Sequence, residues 1–274
     1  MADKVIVVAG PTASGKTALG IRLALQYKGE IVSADSMQVY RGMDIGTAKA
    51  TAEERAQVPH HMLDVAEPWE DYSVARYVSQ AEDCCRDIIS RGKLPVIVGG
   101  TGLYIDSLIS GRDFAAVDSD LGLREKLGRE YDELGGEELH RRLASIDPER
   151  AAKLPPSDKR RIVRALEIYE LTGMTITEHD EYTRSLPPRF EAAPVHLGFK
   201  DRSLLYERID RRVDIMVEQG LFKEVEGLLG RGLSPSCTAM QAIGYKEAAQ
   251  AILGDMSPQE AVALIKLRSR RYAK

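Results

Sequence analysis

This sequence has few of the features that mark extracellular, membrane-spanning or disordered proteins. Its 274 residues include only 3 cysteines, which have neither the spacing of a zinc site nor the number needed for a disulfide framework. No apolar run approaches the roughly 20 residues of a membrane span, and the chain enters its first predicted strand without a leader segment. The net charge of -4 excludes a uniformly basic nucleic-acid-binding protein but permits a local basic surface. We expect a cytoplasmic, globular protein that is monomeric and has no membrane partner.

The first part of the chain alternates short apolar segments with helical segments. The predicted strands are 5–9, 30–34 and 94–98, and the predicted helices are 17–27 and 74–91. Near-continuous apolar strands that alternate with helices are typical of a parallel sheet covered on both faces, which binds ligands beyond the carboxyl ends of its strands. The sequence therefore predicts an α/β fold, a parallel sheet flanked by helices.

The pattern changes between residues 116 and 190. Charged helical segments such as 121–134 and 137–143 are punctuated there by prolines, and no strand pattern occurs. An apolar run at 195–199, followed by a helix from about Ser203, indicates that the chain then rejoins the sheet. We predict a core domain formed by residues 1–115 and 191–274, and a small all-helical domain inserted at 116–190.

A glycine-rich segment follows the first predicted strand. It reads GPTASGKT and matches the P-loop motif G-x-x-x-x-G-K-[ST], with a strand before it and a helix after it. In such a loop the backbone N–H groups and the helix dipole bind phosphate, a lysine adds positive charge, and the final hydroxyl is a candidate Mg²⁺ ligand. The sheet is therefore expected to be of the P-loop type, with Thr17 as the metal contact. The predicted phosphate-binding residues are Gly10, Pro11, Thr12, Ala13, Ser14, Gly15, Lys16 and Thr17.

The acid that a typical P-loop NTPase carries after an apolar strand is missing. The strand ending at Val98 is followed by Gly-Gly-Thr-Gly, which weakens the prediction of an NTPase. Asp35 instead follows the second strand, and Thr101 follows the third. Asp35 suits a small-molecule kinase or another transferase, in which it would act as general base. Capping of the segment that follows is the alternative role.

Several blocks along the chain resemble the tRNA dimethylallyltransferase family, the bacterial tRNA isopentenyltransferases. The first block, 35–49, reads DSMQVYRGMDIGTAK. The others are PHHMLD at 59–64, VGGTGLY at 98–104, Asp158 with Arg161 and RALE at 164–167, Arg208 with Arg212, and QAIGYK at 241–246. Ala50 stands where the family usually has proline. The chain ends at Lys274, where the family continues with basic and aromatic residues, so we expect part of the RNA-binding surface to lie beyond it.

The resemblance implies a reaction and three catalytic residues. Asp35 would take the proton from N6 of the adenine next to the tRNA anticodon, as that nitrogen attacks the first carbon of dimethylallyl diphosphate. Thr101 would position the acceptor or a phosphate oxygen. Arg212 would stabilise the departing diphosphate together with the P-loop and Mg²⁺. A backbone-bonded loop residue is the alternative for Thr101, and a surface salt bridge with Asp210 or Asp214 is the alternative for Arg212.

The resemblance also implies tRNA contacts around a flipped-out adenine. The implied residues are Asp35, Ser36, Met37, Gln38, Thr101, Arg124, Arg160, Arg161, Ile162, Val163, Arg164, Gln241, Ala242, Ile243, Gly244, Tyr245 and Lys246. Independently, the segment KRRIVR at 159–164 puts cations in the first turn of a helix that we predict Ser157 to cap. These cations oppose the helix dipole, and an anionic partner would offset that cost. The alternative is a solvated face paired with Asp158, Glu167 and Glu170.

Three other functions stay open. The chain would prenylate free adenine nucleotides, act as a P-loop small-molecule kinase, or bind RNA without catalysis. The helical insertion favours RNA as the acceptor, and the missing acid after Val98 disfavours a kinase. Among the remaining residues, the adjacent pair His60 and His61 is predicted to be structural, because no third metal ligand is evident.

Overall fold

The computed structural model describes residues 3–111 and 121–273. The chain divides into two compact units, one formed by Met1–Ile109 with Arg189–Lys274 and the other by Ser110–Pro188. The first unit contains the sheet, and the described part of the second is helical. The predicted start of the insertion, residue 116, lies outside the described residues.

The sheet of the first unit has five parallel strands. They are β1 Lys4–Ala9, β2 Glu30–Ala34, β3 His60–His61, β4 Pro95–Gly99 and β5 Glu191–His196, in the spatial order β3-β2-β4-β1-β5. Every residue of β2 and β4 is buried, as expected for central strands with helices on both faces. The predicted α/β fold with a P-loop-type parallel sheet is therefore confirmed.

Two strands differ from the prediction. β3 has only two residues, too few for a periodic pattern to reveal it. β5 spans Glu191–His196 rather than 195–199. Its residues are largely exposed and it pairs with β1 alone, which makes it an edge strand and explains how it accommodates Pro194. The predicted apolar run was therefore the end of the strand and the loop beyond it.

Helices account for most of the rest of the described chain. The α-helices are α1 Lys16–Gln26, α2 Ala52–Gln57, α3 Val74–Ser90, α4 Gly102–Ile109, α5 Leu121–Leu134, α6 Gly136–Ile146, α7 Pro148–Ala151, α8 Lys159–Thr172, α9 Ile176–Ser185, α10 Arg202–Glu218, α11 Leu221–Gly230, α12 Tyr245–Ile252 and α13 Pro258–Tyr272. A short 3-10 helix, Ala239–Gln241, precedes α12. None of the described helices is long and apolar enough to cross a membrane.

The second unit packs around its own apolar core. Leu127 of α5, Leu139 and Leu143 of α6, and Ile162 and Leu166 of α8 are almost completely buried there. The cap of α8 differs from the prediction, because Asp158 rather than Ser157 accepts a hydrogen bond from the backbone N–H of Arg161, at 3.2 Å. A carboxylate at this position also compensates the positive charge of the cations in the first turn, which a serine hydroxyl would not do.

Candidate active site

The P-loop connects β1 to α1 at the carboxyl edge of the sheet. A Cβ atom on Gly10 would lie 2.6 Å from the carbonyl oxygen of Leu197, so the close approach of these two backbone segments requires glycine. Gly15 has φ +89° and immediately precedes α1. The Nζ of Lys16 donates to the carbonyl oxygens of Gly10 at 2.9 Å and Pro11 at 2.7 Å. This lysine therefore lies folded over the mouth of the loop.

A cavity of about 1030 Å³ opens beside this loop and lies within the first unit. Its volume is at the upper end of the range for small-molecule sites. All eight predicted P-loop residues border it, together with Asp35, Ser36, Met37, Gln38, Thr101, Arg212, Gln241, Ala242 and Ile243. The sequence-predicted phosphate, catalytic and acceptor residues of this unit are thus largely brought to one place.

Asp35 directly follows β2 and has two contacts of its own. Its Oδ1 accepts hydrogen bonds from the backbone N–H groups of Met37 at 2.9 Å and Gln38 at 3.4 Å. The carboxylate therefore closes the turn after β2, as the capping alternative proposed, and also borders the cavity. Within the described part of the chain these hydrogen bonds involve only Oδ1, which leaves Oδ2 available as a proton acceptor.

Thr101 joins the ends of two neighbouring strands. Its backbone N–H donates to the carbonyl oxygen of Ala34 at 3.1 Å, and its Oγ1 accepts from the backbone N–H of Ser36 at 3.0 Å. These bonds fix the chain on either side of Asp35. The backbone-bonded role foreseen for Thr101 is therefore present, on a residue that also borders the cavity.

Arg212 reaches the cavity from α10. Its NH2 donates to the carbonyl oxygen of Thr47 at 3.4 Å. Burial lowers the pKa of Arg212, and the nearby Asp35 opposes that shift. The alternative of a surface salt bridge is not what is observed, because Asp210 pairs with Arg270 at 2.7 Å and Asp214 pairs with Lys266 at 2.6 Å.

Lys16 is the most perturbed cation of the cavity. Burial, together with the charge of Arg212, lowers the pKa of Lys16 to about 8, although Asp35 partly opposes the shift. Two cations in a partly desolvated cavity raise each other's energy, and an anion bound between them would relieve that cost. The electrostatics therefore favour a multiply charged anion beside the P-loop.

Two glutamines that were predicted to face tRNA already have protein partners. The Nε2 of Gln38 donates to the carbonyl oxygen of Thr47 at 3.1 Å, and its Oε1 accepts from Ser33 Oγ at 3.2 Å. The Nε2 of Gln241 donates to the carbonyl oxygen of Pro235, and its Oε1 accepts from Lys246. Gly244, Tyr245 and Lys246 do not border the cavity, and Tyr245 is fully buried.

The predicted tRNA residues of the helical unit have different environments. Ile162 and Val163 are buried in its core, so their side chains are not displayed to a partner. Arg124 and Arg164 each form an ion pair with the buried carboxylate of Glu167 at 2.9 Å. Arg160 and Arg161 are exposed. The segment thus displays some of its cations and uses others within the fold.

One wall of the cavity was not predicted from the sequence. Apolar residues of α10 and α13 border it, including Ile209, Val213, Met216 and Ile265, and Tyr272 lies at the end of α13. The spacing of 209, 213 and 216 is that of one helix face, and Arg212 lies within it. That signal was present in the sequence, but it did not indicate what the face would cover. His60, predicted to be structural, also borders the cavity.

Comparison with known proteins places this geometry in a family. The family model described as IPP transferase matches residues 38–274, and the one described as isopentenyl transferase matches residues 3–66. The tRNA dimethylallyltransferase of Thermoanaerobacter sp. (strain X514) is 46% identical over 275 residues, which cover 100% of this chain and 87% of the relative. That of Carboxydothermus hydrogenoformans is 49% identical, with 100% and 88% covered.

Solved structures agree with the sequence comparisons. The tRNA isopentenylpyrophosphate transferase of Bacillus halodurans is 42% identical, with a TM-score of 0.70 over 99% of this chain and 84% of that structure. A eukaryotic dimethylallyltransferase acting on tRNA is 31% identical, with a TM-score of 0.86 over 99% of this chain and 68% of that one. The chain therefore belongs to the IPP transferase family, together with the tRNA dimethylallyltransferases.

Proposed function

We propose that this chain transfers a dimethylallyl group from dimethylallyl diphosphate to N6 of the adenine adjacent to the anticodon in tRNA, releasing diphosphate. One observation carries the proposal: the P-loop, Asp35, Thr101 and Arg212 border a single cavity. A phosphate grip and a carboxylate in one cavity suit the departure of an anion and the deprotonation of a nucleophile. Membership of the IPP transferase family supports the same chemistry.

The leaving group would occupy the P-loop. Its backbone N–H groups, Lys16 and Arg212 would stabilise the negative charge that develops on diphosphate as its bond to the first allylic carbon breaks. The allylic carbon supports positive charge readily, so holding the diphosphate accounts for much of the task. The lowered pKa of Lys16 supports this role, because a bound anion would raise that pKa and so be bound more tightly by the charged lysine.

Mg²⁺ fits the residues beside the P-loop. Thr17 borders the cavity, and the Ser14 hydroxyl, on another residue of the cavity lining, is buried without a hydrogen-bond partner, so hydroxyl ligands are present beside the loop. The described residues hold no cluster of three or more His, Cys, Asp or Glu that would bind a metal. Thr17, the diphosphate and water would therefore be its ligands, as Mg²⁺ commonly prefers. When bound, Mg²⁺ would neutralise charge on the diphosphate.

Asp35 would act on the acceptor. N6 of the adenine forms a bond to the first carbon of the allyl group, the bond from that carbon to diphosphate oxygen breaks with its electron pair, and Asp35 takes the N6 proton. The free Oδ2 suits this role, since Oδ1 is held by the turn after β2. Thr101 would keep that turn in place through Ser36.

A stacked adenine would have to leave the anticodon loop to reach this site. Ser36, Met37 and Gln38 border the cavity and would contact the base. We further propose that exposed cations of the helical insertion, foremost Arg160 and Arg161, contact tRNA phosphates, and that the protein works as a cytoplasmic monomer. None of the three alternatives, which are prenylation of free adenine nucleotides, a kinase reaction and RNA binding without catalysis, has a specific observation in its favour.

The decisive experiment is incubation with unmodified tRNA, dimethylallyl diphosphate and Mg²⁺, followed by mass spectrometry of the digested nucleosides. We expect a prenylated adenosine at the position next to the anticodon. Parallel reactions with AMP, ADP and ATP as acceptors test the nucleotide alternative, and labelled ATP without the prenyl donor tests the kinase alternative. Product on free nucleotide but not on tRNA would overturn the proposal.

A further inference from the structure

Residues 44–48, named here the 44–48 loop, donate three backbone hydrogen bonds to one carboxylate from α11. Glu224 accepts hydrogen bonds from the backbone N–H groups of Asp44 at 3.0 Å, Ile45 at 2.9 Å and Gly46 at 3.3 Å. Three successive N–H groups thus converge on one anion. Charge-assisted bonds of this kind are stronger than neutral ones, so the conformation of the loop depends on this side chain.

Tyr245 completes the clamp. Its hydroxyl donates to Oε1 of Glu224, and its ring lies so close to Gly46 that a Cβ there would meet Cε2 at 2.4 Å. Burial, followed by the charge of Glu224, raises the pKa of Tyr245, so the hydroxyl stays a donor. The loop is therefore held by hydrogen bonds at its N–H groups and by packing at Gly46.

The carbonyl groups of the same loop point to two residues of the cavity. The carbonyl oxygen of Thr47 accepts from Gln38 Nε2 at 3.1 Å and from Arg212 NH2 at 3.4 Å. The carbonyl oxygen of Ala48 accepts from Gln38 Nε2 at 3.4 Å. Ala48 has φ +44°, a left-handed conformation that a residue with a side chain adopts only when its surroundings hold it.

We propose that Glu224 is a positioning residue for the transfer reaction, fixing the 44–48 loop so that the Thr47 carbonyl holds Gln38 and Arg212 in the cavity. This inference rests on the proposed function, in which Gln38 contacts the flipped adenine and Arg212 stabilises the departing diphosphate. Glu224 itself is not among the residues that border the cavity. A substitution there therefore reaches the reaction through the loop.

The first test compares Glu224→Gln with Glu226→Gln, a control at an exposed position two residues along the same helix. We expect Glu224→Gln to lower kcat about tenfold, because small displacements of aligned groups cost rate, while KM for dimethylallyl diphosphate changes less than about threefold. Glu226→Gln should keep both wild-type values. A purely structural defect would lower the active fraction and melting temperature without this relation to Gln38, which the second test measures.

The second test repeats Glu224→Gln in a Gln38→Ala background. If the carboxylate acts through the loop and Gln38, its penalty on kcat should shrink to less than about threefold there, since coupled residues are not additive. The same tenfold penalty in both backgrounds would overturn the inference. Tyr245→Phe keeps the ring against Gly46 and removes one bond to Glu224, so we expect a loss of about twofold in kcat.

The third readout is independent of activity. Amide hydrogen exchange of a peptide containing 44–46 should become faster in Glu224→Gln and stay at the wild-type rate in Glu226→Gln. Unchanged exchange in Glu224→Gln would overturn the inference whatever the enzyme does. A wild-type protein that fails to prenylate tRNA would instead overturn the proposed function.

Discussion

A carboxylate lies at each end of strand β2, and the two differ in how many charged partners surround them. Glu30, at its start, is 1% exposed and accepts from Arg91 at 2.5 and 2.8 Å, from Lys93 at 2.6 Å and from His61 at 2.7 Å. Asp35, just beyond its end, accepts only two backbone N–H groups in the described structure. The same strand thus positions both carboxylates, and their different partners give Glu30 a structural role and leave Asp35 available to a ligand.

The difference between Glu30 and Asp35 shows that charges without a partner in the fold, rather than paired ones, indicate the functional site of this chain. A buried carboxylate surrounded by cations has its charge compensated by the fold, and removing it leaves those cations without their partner. Asp35, Lys16 and Arg212 share a cavity without pairing directly, and the charge of Asp35 raises the pKa of both cations, against the larger effect of burial. Charges that the fold leaves unpaired in a cavity are the ones available to a ligand.

Asp35→Asn should produce the largest effect of any change that tests this comparison. Asparagine can still accept the two backbone hydrogen bonds of the turn but cannot take the N6 proton, so we expect transfer to tRNA to fall about 1000-fold. Binding of dimethylallyl diphosphate, measured by calorimetry, should stay within about twofold of wild type. Equal loss of transfer and binding would mean that Asp35 organises the P-loop or the metal rather than the acceptor.

Glu30→Gln should act on stability and leave the chemistry intact. The loss of a buried anion from three partners should cost about 2 kcal/mol in the free energy of unfolding, a value reduced by the partial exposure of Arg91 and Lys93. Urea unfolding at pH 7 measures it. Asp87→Asn is the matched control, because Asp87 pairs with the same Arg91 at 2.8 Å on the surface and should contribute less than about 0.5 kcal/mol.

The stabilisation that Glu30 provides should depend on pH in a definite direction. Hydrogen bonds from Arg91 first, then Lys93 and His61, hold the pKa of Glu30 far below its ordinary value of 4.5, against the opposing effect of burial. The stabilisation is therefore complete above pH 4.5 and is lost as the pH falls below it. The stability difference between wild type and Glu30→Gln should shrink on acidification. A difference that stays constant from pH 7 to low pH would contradict this assignment.

The sequence alone predicted those strands and site residues that are determined by a local apolar pattern or by the order of residues along the chain. β1, β2 and β4 are short, largely apolar runs, and the P-loop, Asp35 and Thr101 each follow one of them. Parallel strands end at the same edge of a sheet, so these residues were expected together. β3 was missed because two residues carry no periodicity, and β5 was predicted too far along the chain, at 195–199, because an exposed edge strand lacks an apolar pattern.

Partners distant in the chain were beyond the reach of sequence patterns. Glu224 lies 180 residues from Asp44, and no spacing rule connects α11 to the 44–48 loop. Likewise Arg124 and Glu167 form their ion pair across 43 residues. The resemblance to a family implied tRNA contacts for whole segments, but only the packing of α8 separates buried Ile162 and Val163 from exposed Arg160.

The titration of Lys16 predicts how the affinity of the cavity for a diphosphate depends on pH. With the pKa of Lys16 lowered to about 8 in the ligand-free protein, its charge is present below pH 8 and lost above it. Affinity for isopentenyl diphosphate, an isomer without the reactive allylic carbon, should fall about tenfold between pH 7 and pH 9. Lys16→Arg stays protonated and should show no such fall. An equal fall in Lys16→Arg would assign the titration to another group.

The smallest effect concerns two arginines of α8 that differ in the same way as the two carboxylates. Arg164 pairs with buried Glu167, whereas Arg160 is exposed and has no ion pair within the described residues. Arg160→Ala should weaken tRNA binding about threefold and lower the slope of log affinity against log salt by about 1. Arg164→Ala should reduce stability more than affinity, because it removes a partner of a buried charge. An unchanged salt slope for Arg160→Ala would remove this helix from the tRNA interface, and equal slopes for both variants would show that pairing with Glu167 does not withhold Arg164 from RNA.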